Sequence, residues 1–86
     1  MKRVIVNISV DLSKIPNLQE LLPEEQAVVA KWKEDGIQEH LFLKGDKGAI
    51  LIFKDIDEEK AKELIPLLPL ARFADGVEYT TVEKHY

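Results

Sequence analysis

A carboxylate set in an apolar stripe is the feature of this sequence with the most chemistry in it. Between positions 18 and 32 the large apolar residues are Leu18, Leu21, Leu22, Val28, Val29 and Trp32, in steps of three, one, six, one and three. That spacing draws one face of a helix with a single gap. The position that fills the gap is 25, three or four residues from Leu21, Leu22, Val28 and Val29, and it is a glutamate. Side chains that far apart are neighbours on a helix, so Glu25 is expected in the middle of a core-facing stripe. An ionised carboxylate is costly to bury without partners. Burial raises its pKa, and a carboxyl shifted toward neutrality can act as a general base or acid. Three plainer readings compete. Pro23 breaks the helix, the phase changes and Glu25 points to water. Alternatively, Glu24 and Glu25 sit at the start of a second helical piece, favoured by its dipole. Or Glu25 is a paired structural acid.

The other candidates come from strands. His40 shares a strand face with Gln38 and Phe42; its plain reading is structural and its functional reading catalytic. Asn7 and Ser9 alternate out of the first strand on one face. If that face lines a cavity, they and Phe42 are substrate-binding candidates, polar anchors beside an aromatic wall. A solvated sheet face is the equal alternative. No metal site is expected. The chain has no cysteine, and its two histidines, His40 and His85, stand far apart. A G-x-S-x-G elbow, a G-x-G-x-x-G loop and a phosphate loop are all absent from the sequence. Trp32 and Phe73 read as core.

These residues need elements to hold them. Val4, Val6, Ile8 and Val10 alternate with Ile5, Asn7 and Ser9, the period of a strand. Asp11 to Pro16 is a connection, within which Ser13-Lys14-Ile15-Pro16 offers a helix start. The helical region runs to Asp35, with Gly36 as its left-handed stop and Pro23 as a kink or a break into two pieces. Ile37 to Lys44 and Ala49 to Lys54 are strands joined by the turn Gly45-Asp46-Lys47-Gly48, and so short a turn makes them antiparallel. On the second strand, Gln38, His40 and Phe42 are expected to look away from the helices, while Ile37, Leu41 and Leu43 pack on them. Asp57 caps a second helix, with Glu58 and Glu59 in its first turn. Ala61, Leu64, Ile65 and Leu68 form its buried stripe, and Pro66 and Pro69 make its end irregular. Val77 to Lys84 is a last strand rich in β-branched residues.

The order βαββαβ predicts a single α+β domain over residues 1–86, ferredoxin-like, with two helices on one face of an antiparallel sheet. The first and third strands have apolar or small residues on both faces, and 45% of the chain is hydrophobic. One small core does not readily hide that much, so a dimeric α+β barrel closed by a second sheet is expected. A monomeric ferredoxin-like domain with an open sheet is the rival. The net charge is −4 with no basic stripe, which argues against nucleic acid. Nothing in the sequence approaches a membrane span. The apolar stretch after Met1-Lys2-Arg3 ends at Asn7 and alternates, which predicts a strand rather than a signal core. A chain without cysteine is compatible with the reducing cytoplasm, where it is expected to work.

The run from Glu25 through Ala27-Val28-Val29-Ala30 and Gly36 to His40-Leu41, with Leu68-Pro69-Leu70 further on, resembles the muconolactone isomerase family. The family has an acid, an Ala/Leu-rich helix, a glycine, a His-Leu strand, and Leu-Pro-Leu before its last strand. The resemblance spans most of the chain. It implies the dimeric barrel, often assembled into larger rings, and a proton-transfer role for Glu25. The family's His-Leu-Trp-Arg strand reads His40-Leu41-Phe42-Leu43 here, so the arginine that would hold a substrate carboxylate is missing. The implied activity is isomerisation of a butenolide-type small molecule without cofactor or metal, with His40 or Asn7 as donors to the lactone oxygen. The alternatives are a cofactor-free monooxygenase of the kind found among related small barrels, and a non-catalytic small-molecule-binding domain.

Overall fold

The computed structural model describes residues 1–85. Val4, Val6 and Ile8 of β1 (Lys2–Ser9) are buried, while the residues between them are less so, the alternation of a strand with one face on the core. β1 pairs antiparallel with β3 (Gly48–Lys54) on one side and with β4 (Gly76–Glu83) on the other. β2 (Gln38–Leu43) adds to β3, so the described sheet runs β2-β3-β1-β4 with β2 and β4 at its edges. Helices α1 (Leu18–Glu34) and α2 (Glu58–Leu64) contribute Leu21, Trp32 and Ala61 to the core over Leu51 and Phe53. The Trp32 and Phe53 rings meet edge-on at 5.4 Å, a favoured aromatic geometry. This is a small α+β domain, compatible with the ferredoxin-like arrangement.

Local chemistry explains the element ends. Gly36 adopts φ +80°. The Gly36 N–H donates to Lys33 O and the Ile37 N–H to Trp32 O, a paired cap that satisfies the last carbonyls of α1. Asp57 accepts from the Lys60 N–H at 2.9 Å and caps α2. After Leu64 the prolines leave two 3-10 turns, Ile65–Leu67 and Pro69–Phe73, in place of regular helix.

Three expectations need correction. Of the two outcomes expected at Pro23, a kink or a break into two pieces, the break does not occur; α1 is one helix through it. Leu21 before the proline and Trp32 after it anchor on the same core, so packing outweighs the lost backbone donor. The Ser13 segment is not the start of α1; Leu12–Lys14 is a separate 3-10 turn capped by Asp11, and the α-helix begins at Leu18. Gln38 does not look away from the helices. A bulge between Gln38 and His40 pairs Gln38 with core residue Phe53 and His40 with Ile52. Gln38 therefore turns toward the helix side, where its Oε1 is buried with no partner among the described residues. His40 and Phe42 look away as expected.

Candidate functional site

Glu25 lies halfway along α1, on the stripe that Leu21 and Trp32 bury, and is itself half-buried. It lines a cavity of about 390 Å³ between α1, the ends of β1 and β2, and the segment around Leu68 to Ala71. The walls are mostly aliphatic, with Val10, Leu22, Val29, Leu41 and Leu68 among them. Glu25, Gln26 and Lys33 are the polar and charged side chains at its surface.

One Glu25 oxygen has a partner. Oε1 accepts the backbone N–H of Leu70 at 3.0 Å. That N–H sits in the first turn of Pro69–Phe73, whose N-cap Leu68 offers no side-chain acceptor. The first amides of a helical turn have no internal partner, and Glu25 supplies one from across the fold. Burial pushes the Glu25 carboxyl up from its ordinary 4.5, and the Leu70 N–H pulls it partly back; desolvation is the larger effect. Among the described residues Oε2 has no hydrogen-bond partner, so one carboxylate oxygen stays available to a ligand.

The strand candidates stand elsewhere. Asn7 and Ser9 pair in register with Ile50 and Gly48, and His40 and Phe42 with Ile52 and Ile50, all on the sheet face opposite the helices. The sheet therefore separates these four residues from Glu25, and one chain does not gather all five around one pocket. His40 is exposed, with Nε2 3.9 Å from Glu39 Oε1 and its ring 5.9 Å from that of Phe42. Asn7 accepts from Lys44 Nζ at 2.7 Å, and Ser9 Oγ lies 3.5 Å from the same ammonium.

Sequence reasoning missed a fork on that same open face. Arg3 Nε and Nη2 donate to the two Glu39 oxygens at 2.8 and 3.1 Å, and Arg3 is only 6% exposed. The guanidinium holds the Glu39 carboxyl below its usual range, and Lys84 adds to this from 3.9 Å. Alternation alone puts Glu39 on the helix side; only the bulge brings it to Arg3. Gln26, Lys33 and Leu43 were also missed as cavity residues. Their signal was present, since position 26 neighbours 25, position 33 is two turns on, and Leu43 shares a strand face with Leu41. Among the described residues no group of histidine, aspartate and glutamate could hold a metal ion, and no helix is long and apolar enough to cross a membrane.

Fold and cavity together define a small α+β domain with an acid-bearing apolar pocket. No protein-family model matches the chain, and no curated protein does. Among solved structures it is similar to the structured domain of Caenorhabditis elegans BMY-1. The two share 21% identity over 100% of this chain and 98% of that one, with a TM-score of 0.50. Likeness at that level is one of fold.

Proposed function

We propose that this chain is a muconolactone-isomerase-like, cofactor-free proton-transfer isomerase of a butenolide-type small molecule, working as a cytoplasmic homodimer with Glu25 as its base and acid. The observation that carries the reading is Glu25 itself, a half-buried carboxyl raised by desolvation on the wall of an apolar cavity. A γ-substituted α,β-butenolide has an acidic γ C–H conjugated through the ring double bond to the carbonyl. The Glu25 carboxylate takes that proton. The C–H electron pair becomes the β,γ double bond, and the former double bond shifts its electrons toward the carbonyl oxygen. The resulting dienolate takes the same proton back at the α carbon, leaving the β,γ-butenolide and an ionised Glu25. Atoms and charge balance, and no electron enters or leaves. Gln26, next to Glu25 on α1, is the side-chain donor on the cavity wall for the dienolate oxygen. In this reading His40, Asn7, Ser9 and Phe42 face the partner's sheet and shape the dimer rather than touch the lactone.

The Leu70 N–H favours a second reading, a non-catalytic small-molecule-binding domain in which Glu25 is a tether. One experiment separates them. The γ proton of a γ-methyl butenolide is followed by NMR in deuterated buffer with parent and Glu25→Gln protein. The amide keeps an acceptor for Leu70 but cannot take a proton. The isomerase reading expects exchange to fall about 10²–10⁴-fold, the usual contribution of a positioned acid or base. Equal exchange rates in the two proteins would leave Glu25 as the tether.

A further inference from the structure

Resting on that reading for the lactone ring, we infer that the cavity selects neutral butenolides with an apolar γ substituent and rejects those carrying a carboxylate. The walls argue first. Ile8, Val10, Leu22, Val29 and Leu68 enclose the pocket, so a buried substituent meets hydrocarbon on several sides. Charge argues second. The acid in the pocket is Glu25, and a ligand carboxylate beside it would bring two like charges together out of water. No arginine lines the cavity to compensate. Its cation, Lys33, lies eight residues along α1, about 12 Å from Glu25 at helical rise.

The mouth argues third. Leu41 and Leu43 project on the same side of β2 and line the cavity, yet they remain 41% and 75% exposed. They stand about 7 Å apart along the strand. Edge strand β2 has no neighbour beyond it in the described sheet, and the described residues leave these two side chains partly uncovered. An alkyl chain leaving the ring at Glu25 and running out between α1 and β2 would cover them. Leu43 is thus the specificity-determining position at the rim, apolar where a carboxylate-binding site needs a cation.

The test measures binding, which does not require turnover. The full-length chain is titrated by NMR with γ-methyl, γ-propyl and γ-pentyl butenolides and with the γ-carboxymethyl butenolide. Each added methylene should tighten binding about three- to four-fold, with shifts at Leu41 and Leu43, and the carboxymethyl compound should bind weakest. Leu43→Arg changes an exposed side chain and is expected to fold as the parent does. It should flatten the chain-length series and tighten the carboxymethyl compound at least ten-fold. A flat series in the parent, a carboxymethyl compound that binds best, or an unchanged Leu43→Arg series would each overturn the inference. The two proposals fail differently. A steep series with no proton exchange keeps the ligand class and removes the isomerase. Exchange that is fastest on the carboxymethyl compound keeps the isomerase and removes the ligand class.

Discussion

Two forces act on Glu25 in opposite directions, and their order decides how stability responds to pH. Desolvation favours the neutral carboxyl, and the Leu70 N–H favours the carboxylate; desolvation is larger, so the folded pKa lies above the ordinary 4.5. Between the unfolded and folded values the native state holds more protons than the unfolded chain, so stability falls as pH rises through that window. The Glu25 contribution is therefore complete in acid and lost toward neutrality. Asp11, Glu39 and Glu83 are shifted down and work the other way, losing their contribution as pH falls. Comparing Glu25→Gln with the parent cancels those three. Urea unfolding should give the two proteins similar stability at pH 4 and a more stable variant at pH 7. A variant less stable at pH 7 would mean that the ionised cap on Leu70 outweighs the cost of burial. Glu25 was legible in the sequence because helix periodicity is local and places position 25 by its neighbours. Its partner was not, because a backbone amide 45 residues away carries no side-chain signature.

At the scale of elements, what was legible followed from propensity and period, and what was missed followed from tertiary contacts. The strands, the Asp57 cap and the Gly36 stop are each written within a few residues. The continuity of α1 through Pro23 is not, since it depends on Leu21 and Trp32 sharing one core. Nor is the bulge in β2, which reverses Gln38 and joins Glu39 to Arg3. The β2–β3 hairpin, which carries the cavity rim, rests on Gly48. Gly48 takes φ +138°, and a Cβ there would overlap the carbonyl oxygen of Ile8 in β1. Both the dihedral and the approach exclude a side chain. The strained dihedral alone costs about 1–3 kcal/mol, and the backbone clash adds to it. Gly48→Ala should lower the urea midpoint correspondingly and weaken ligand binding at Leu41 and Leu43. Gly45→Ala, also at positive φ but with nothing near its Cβ, should cost less. Equal costs would show that strand packing on Ile8 does not constrain the hairpin.

For the whole molecule the open sheet face sets the expectation. Ile5, Ile50 and Ile52 sit on it, each partly exposed, beside Phe42 at 54% exposed. The Arg3–Glu39–Lys84 cluster stands at one end and Lys44 with Asn7 and Ser9 at the other. An apolar centre between polar ends is the anatomy of an interface, and a two-fold axis through the isoleucines would place each polar end against the partner's sheet. Light scattering at micromolar concentration should give twice the 9.8 kDa chain mass. Ile52→Glu puts a charge at the centre of the face, and two-fold symmetry sets a second copy of it nearby, so this variant should run as a monomer. The cavity at Glu25 lies on the other side of the sheet and takes its walls from a single chain. Proton exchange per chain should therefore survive in the Ile52→Glu monomer. If exchange disappears along with the dimer while the monomer stays folded by circular dichroism, the site depends on the dimer and the single-chain reading of the cavity fails. A parent that runs as a monomer removes the dimer and leaves the cavity argument standing, because the cavity lies on the opposite side of the sheet from that face.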